Sequence, residues 1–365
     1  MASIIDIAEK ANVGVSTVSR VINGYSNVAP ETARAVQEAV KALDYKPRTV
    51  RPGPKTHDRQ GIRTGMILFL SVHPVSPEEM YNMPAYPALL SGIQRTLHNK
   101  GLELVLAHCP DANTVPPVLR GNRIDGVLLF GQQKLGDALE KALAVVPSVW
   151  CFRSPVDQGR MFDHVFYDNS LVGKIAADYL VDSGHRHLAF VNCWPIGGAH
   201  DQRRDKFLET VYSRGASAEL IEPPENPPPE KKLQTMQKLT RRVMDLSPSP
   251  TGMFCPADDM MVSVFNTLQK KGIEPGRDIE LIGCNNDLPY MEQMHPRPAT
   301  IDLRLAAVGE GAVKQLLKRM ANPDAEEREE TLIQPMLIAA EKKVTPEVAK
   351  DGTEEVEVGI QSAVT

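Results

Sequence analysis

Apolar positions in the opening stretch recur at helical spacing in three short blocks. Ile4, Ile7, Ala8 and Ala11 form one face, the periodicity breaks at Asn12-Val13-Gly14, and a second stripe begins with Val15, Val18, Val21 and Ile22. Two short helices joined by so tight a break read as a helix-turn-helix. A third stripe (Ala35, Val36, Ala39, Val40, Leu43) follows Pro30 and Glu31, which suit the first turn and the positive end of a helix, so a helix is predicted from about 30 to 43. Asn12 tolerates a left-handed backbone and can stand where a turn glycine would. Gly14 lacks the oxygen of a serine cap, at a cost of only a few tenths of a kcal/mol. Ser16, Thr17, Ser19 and Arg20 fall off the second stripe, which puts hydrogen-bonding side chains on the outside of a helix short enough for the major groove.

Beyond Thr64 the pattern changes to short apolar runs alternating with amphipathic segments. Strands are predicted at 65–72, 102–108, 125–130, 147–152, 187–193, 251–255 and 279–284, and helices at 86–100, 134–144, 169–183, 201–214, 230–246, 258–272 and 304–321. Apolar strands alternating with helices imply parallel sheets covered on both faces, and seven or more such strands suggest two doubly wound lobes. The predicted class is therefore α/β: a three-helix headpiece followed by a two-lobed domain. Between them, residues 48–60 lose all apolar periodicity and gain proline, glycine and arginine, as a linker does. Residues 342–365 are acidic and aperiodic, and a disordered tail is predicted there.

Charge sharpens this division. The chain has 365 residues and a formal net charge of -5, which is unexpected for a nucleic-acid binder until it is divided along the sequence. Residues 1–60 hold nine Lys or Arg against six Asp or Glu, whereas residues 341–365 hold three against six, so the basic excess lies at the reading end. The five cysteines (Cys109, Cys151, Cys193, Cys255, Cys284) are far apart and lie in or beside apolar runs, with neither CxxC nor Cys/His spacing. They are expected to be buried free thiols rather than a disulfide frame, and neither metal nor cofactor is expected. No apolar run approaches the length needed to cross a bilayer and no signal segment is seen, so a cytoplasmic, nucleoid-associated protein is expected.

The run Asp6-Ile7-Ala8, Ala11, Ser16-Thr17-Val18-Ser19-Arg20-Val21-Ile22-Asn23, continued by Val28-Ala29-Pro30-Glu31-Thr32 and Tyr45-Lys46-Pro47, resembles the opening of the lactose-repressor (LacI/GalR) family of bacterial transcription regulators. Later landmarks follow in family order: Asp168-Asn169 with Gly173, Gly184-His185-Arg186, Arg203 with Phe207, Asp258, Ile282-Gly283-Cys284 with Asn285-Asn286, and Ala299-Thr300-Ile301-Asp302. The resemblance spans roughly residues 3–338. It implies a helix-turn-helix headpiece over 1–47 and a periplasmic-binding-protein-like effector domain over 61–341. The chain would cross between lobes near 163, 288 and 325, giving one lobe of about 61–163 and 289–325 and another of 164–288 and 326–341.

For DNA, the resemblance implies base reading by Val15, Ser16 and Arg20, with Thr17, Ser19 and Asn23 as further contacts. Arg20 can pair bidentately with guanine. The family's hinge helix, with its minor-groove leucine, does not carry over, because Pro52-Gly53-Pro54 occupies that stretch and an interior proline costs about 3 kcal/mol. Arg48 and Arg51 on an extended backbone could instead enter an A/T-rich minor groove, or the stretch could be a solvated tether. For the effector, the resemblance points to His73, Phe152, Arg153, Arg203 and Asn285. Sugar-responsive members usually have Asp where this chain has Asn285 and Asn where it has Ala257, which leaves Asp258 to cap the next helix. A sugar and an anionic metabolite both remain open as effector.

Together these features predict a transcriptional regulator, a repressor by family habit, binding a pseudo-palindromic operator in double-stranded DNA as a homodimer under the control of a small molecule. A small-molecule-binding protein without a regulatory role is the alternative. An enzyme is not expected: GxGxxG, Walker and GxSxG patterns are absent, and His185-Arg186-His187 falls at a turn from helix to strand, where a structural role is expected.

Overall fold

The computed structural model describes residues 4–22, 28–43, 45, 61–83, 85–121, 123–131, 133–152, 162–196 and 198–341, and divides into two units, Met1–Asp58 and Arg59–Thr365. In the first unit, helices α1 (Ile4–Lys10), α2 (Val15–Ile22) and α3 (Pro30–Ala42) share a core of Ile7, Ala8, Val18, Val36 and Ala39. Asn12 has φ +53°, the left-handed turn its side chain tolerates, and the amides of Thr17 and Val18 reach the Gly14 carbonyl to start α2. Val15 departs from the apolar stripe: it is 45% exposed and outside the core, as a residue offered to a partner would be.

The second unit contains, among its described residues, β1 (Met66–Val72), β2 (Glu103–Cys109), β3 (Gly126–Gly131), β4 (Ser148–Cys151), β5 (Asp163–Tyr167), β6 (His187–Val191), β7 (Ser217–Ile221), β8 (Gly252–Phe254), β9 (Glu280–Ile282), β10 (Thr300–Asp302), β11 (Glu330–Ile333) and β12 (Met336–Ile338). Its helices are α4 (Pro77–Tyr81), α5 (Ala85–Asn99), α6 (Asp137–Leu143), α7 (Asn169–Asp182), α8 (Ala199–Ser213), α9 (Lys232–Met244), α10 (Asp258–Gln269), α11 (Leu288–Met291) and α12 (Leu305–Ala321).

Two parallel sheets result, in the orders β11-β5-β4-β3-β1-β2 and β7-β6-β8-β9, with β10 and β12 forming a separate antiparallel pair. The continuous apolar runs are explained by burial on both faces. Ile67 and Phe69 of β1 pack with α5 and α12, while Leu68 and Leu70 pack with α6 and Trp150. In the smaller sheet Leu188 and Phe190 meet α7 and α8, and Ala189 and Val191 meet α9 and α10.

All seven predicted strands and seven predicted helices of this unit are present with shifted ends. Sheet membership moves the lobe crossings: the chain leaves the six-stranded sheet after Tyr167, returns between Asp302 and Leu305, and leaves again between Ile333 and Met336, each later than the 163, 288 and 325 expected. β5, β7, β10, β11 and β12 were not anticipated. They are short or flank a sheet; β7 buries only Ile221 and β11 exposes alternate residues, so neither of these two carries a continuous buried run.

Every cysteine sits at or just past the C-terminal end of a parallel strand. Cys109 ends β2, Cys151 ends β4, and Cys193, Cys255 and Cys284 follow β6, β8 and β9; all five are free and buried. Among the described residues no cluster of three His, Cys, Asp or Glu could hold a metal ion, and no helix is long and apolar enough to cross a membrane.

Candidate effector cleft and DNA-reading helix

The helix-turn-helix places Val15, Ser16, Thr17, Ser19 and Arg20 on α2. Asn23, Arg48 and Arg51 lie outside the described residues.

The effector candidates His73, Phe152 and Asn285 each follow the C-terminal end of a parallel strand (β1, β4 and β9), the edge at which open α/β sheets receive ligands, and Arg203 lies on α8. Arg153 lies outside the described residues. Three of the others fall into one neighbourhood that spans both sheets. The Phe152 ring meets Tyr167, at the end of β5, with centroids 5.4 Å apart. The Tyr167 hydroxyl lies beside Arg203, whose charge acts at longer range on Asp287, and Asp287 accepts a hydrogen bond of 3.2 Å from the Asn285 side-chain amide. Phe152 and Tyr167 pack against both lobes' apolar clusters. His73 stands apart, beside His108. Burial and then that neighbour hold its imidazole below the usual pKa, and its Nδ1 accepts from the Val75 amide.

Arg203 is positioned from two sides. Gly173 of α7 faces its backbone, and a Cβ there would lie 2.2 Å from the Arg203 carbonyl oxygen, so α7 and α8 can approach this closely only with glycine at 173. Its side chain, 3% exposed, donates from Nε to Asn169 Oδ1 at 2.9 Å and from Nη1 to the Pro256 carbonyl. The turn ahead of α8 is held by buried Asn192: its Oδ1 accepts from the Trp194 amide and contacts His200 Nδ1, while its Nδ2 donates to the Trp194 carbonyl and to Glu222. Burial, with the charges of Arg203 and Lys232, pushes the His200 imidazole down to about 3, so it is neutral at physiological pH.

Backbone strain gathers at this edge. Phe152 has φ +77°, Asn285 φ +110° and Asn286 φ +58°. Such a conformation costs a bulky residue about 1–3 kcal/mol and persists where surrounding structure enforces it, which is frequent at ligand clamps.

Asn285 has a local explanation. Burial pushes Asp287 up to about 6, and an amide at 285 donates to this acid where a second carboxylate would repel it. Asp258 does not cap α10, as expected from sequence: the cap position is Ala257, with no side-chain cap bond. Instead its carboxyl is buried, accepting from the Asp287 amide at 2.9 Å and the Thr300 hydroxyl at 2.8 Å, so it ties the loop after β9 and the crossing strand β10 to α10, and burial raises its pKa to about 8. His185 and His187 pair with Thr251 and Ser217, the structural role foreseen for that turn.

Sequence reasoning missed Tyr167, Asn169, Asn192, His200 and Asp287 as members of this site. Asp168-Asn169 was visible as a landmark, but nothing in its spacing showed that Asn169 would accept from Arg203.

A headpiece with a helix-turn-helix, joined to a two-lobed α/β domain with its candidate residues at the strand ends, defines a class, that of DNA-binding regulators with a periplasmic-binding-protein-like domain. Comparison with known proteins agrees. The family model for bacterial regulatory proteins of the lacI family matches residues 3–48, and a periplasmic-binding-protein-like domain matches 177–339. In its two matched parts the chain is similar to transcriptional regulators of the lacI family. It is 28% identical over 349 residues, 93% of this chain and 97% of the relative, to the HTH-type transcriptional repressor PurR of Mannheimia succiniciproducens. To the PurR of Vibrio cholerae it is also 28% identical, over 90% of this chain and 94% of that one. Among solved structures, the transcriptional regulator CelR in complex with cellobiose superposes with a TM-score of 0.62 at 22% identity, covering 93% of this chain and 99% of that chain. A LacI family regulator from Enterococcus faecium with bound ribose gives 0.60 at 20%, covering 75% and 97%.

Proposed function

We propose that this protein is a repressor whose hold on its operator changes when a small molecule occupies the cleft between its lobes, with Phe152, Arg203 and Asn285 as contacts. The observation that carries this reading is the gathering of Phe152, Tyr167, Arg203, Asp287 and Asn285 at the strand ends of the two sheets, because a ligand seated among them touches both sheets at once. A ligand shifts the balance between DNA-competent and DNA-incompetent forms only by its differential affinity for them, and one that contacts both lobes has that leverage.

The protein acts as a homodimer on paired half-sites, since a single headpiece makes few phosphate contacts. The groove between α5 and edge strand β2, lined by Tyr81, Leu90, Leu97 and Leu104, supports this, with Tyr81 50% and Leu106 44% exposed. Repressor names among the relatives support the sign of regulation. The test is selection of operators from genomic DNA by the purified protein, followed by titration with metabolites. Sequence preference that a metabolite alters is expected, and no preference over random competitor at moderate salt would overturn the reading.

The DNA contacts are tested on the selected operator. Arg20→Ala is expected to weaken binding by about 1–3 kcal/mol and to erase discrimination at one guanine. Replacing Arg48 and Arg51 together by Ala is expected to lower the slope of log K against log salt by about 2, at 0.9 per phosphate, if both face phosphates in the groove. Equal slopes would leave this stretch as a tether.

A further inference from the structure

We infer that the effector is an anion, a carboxylate or a phosphate ester seated on Arg203; this rests on the cleft being the effector site. Arg203 is almost completely buried, yet its neighbours among the described residues are neutral acceptors: the Asn169 amide oxygen, the Pro256 carbonyl and the Tyr167 hydroxyl. No ion pair of 4.0 Å or less between described residues includes it. The same molecule supplies a carboxylate where a buried guanidinium is structural: Arg319, 7% exposed, is gripped by both oxygens of Asp163 at 2.8 Å. Among the described residues no carboxylate grips Arg203 in this way.

Asp287, whose charge reaches Arg203 at longer range, makes no ion pair with it within 4.0 Å and instead accepts from the Asn285 side-chain amide, and position 285 supplies an amide where a carboxylate would add charge. Lys232 has its own ion-pair partner in Asp259. His200 registers the resulting field: after burial, the positive charges of Arg203 and Lys232 are what drive its proton off. A sugar hydroxyl would satisfy a remaining N–H but leave the charge uncompensated. A carboxylate or phosphate satisfies both, through charge-assisted hydrogen bonds to a planar fork. A buried charge without a counter-charge is costly, so the site gains most from a ligand that supplies one.

The test is calorimetric titration of the full-length protein with inorganic phosphate, citrate, ribose and cellobiose at one ionic strength, with operator binding measured on the same samples. One of the two anion classes is expected to bind, with the neutral sugars silent, and the class that binds identifies phosphate or carboxylate. Arg203→Gln is expected to weaken that binding roughly tenfold or more, while Arg203→Lys, which keeps the charge and loses the fork, falls between. Because Arg203→Gln removes a buried donor and can impair folding, the Lys variant and the wild-type ranking of anions over sugars each test the inference independently. Sugar binding without anion binding, anion binding untouched by either substitution, or no binding by a protein that reads its operator overturns the inference and leaves the regulator reading in place. Loss of operator preference in the wild type would instead overturn that reading.

Discussion

Replacing Ile7 with alanine is expected to abolish operator binding while leaving the effector domain folded. Ile7 has no solvent exposure and, among the described residues, shares its core with four other buried ones, Ala8, Val18, Val36 and Ala39. An Ile→Ala change in a core costs about 2–5 kcal/mol. A domain this small seldom has more than about 3–5 kcal/mol in total from its core, so the loss is comparable with the whole stability of the unit. Ile7→Val, costing about 0.5–1.5 kcal/mol, should retain binding. Because Met1–Asp58 and Arg59–Thr365 are separate compact units, calorimetry should show the larger transition unchanged in Ile7→Ala, while fluorescence anisotropy on operator DNA falls to the level of random sequence. Operator affinity within twofold of wild type would show that α2 does not depend on this core.

The second large effect lies in the larger unit. Arg319 holds Asp163 through Nε and Nη2, each at 2.8 Å, and donates to the carbonyls of Ala325 and Glu327, while the Glu329 amide also donates to Asp163. This knot fastens the end of α12 to the start of β5 and to the segment that leads into β11. Arg319→Met should cost about 3–5 kcal/mol, since it strands a buried carboxylate, whereas Arg319→Met combined with Asp163→Leu should recover most of the loss. The pH dependence reverses with it. Burial alone would raise the Asp163 pKa, but Arg319 and the Glu329 amide outweigh it and hold the carboxyl below its usual value. In the wild type the stabilisation is therefore present above the unfolded pKa of about 3.9 and disappears as pH falls through the lower folded value. Without Arg319 burial dominates, the folded pKa lies above the unfolded one, and stability falls as pH rises through it. Urea denaturation at low and neutral pH should show the variant's deficit shrinking on acidification; an equal deficit at both would contradict the pairing.

Legibility in the sequence followed burial. β1 and β3 could be read because both faces of each strand are covered, which makes Met66–Val72 and Gly126–Gly131 nearly unbroken apolar runs. Ser217–Ile221 and Glu330–Ile333 sit at sheet margins with about half of their residues in water, and so they resembled loops. The headpiece was legible down to the left-handed Asn12, since turn chemistry there is local.

The cleft was legible only where the family resemblance marked a position. Arg203 and Asn285 were found in this way, but Tyr167 and Asp287, which join them, were not. Tyr167 closes a strand whose first residues, Asp163 and His164, are polar, and Asp287 lies on a loop whose approach to Arg203 depends on tertiary packing. Asp258 was seen but given a local role, because a carboxylate beside a helix start ordinarily caps it. Its actual partners, Asp287 and Thr300, lie 29 and 42 residues further along.

The five strand-end cysteines give this regulator a chemical property separate from gene control. All are shut away from solvent; burial raises each thiol's pKa, Cys193 to about 11 and Cys284 to about 12, so almost no thiolate exists at neutral pH. In the closed molecule they are poor targets for oxidants and alkylating agents. Any alkylation must pass through an opened state, and its rate measures how often the strand ends of either lobe come apart.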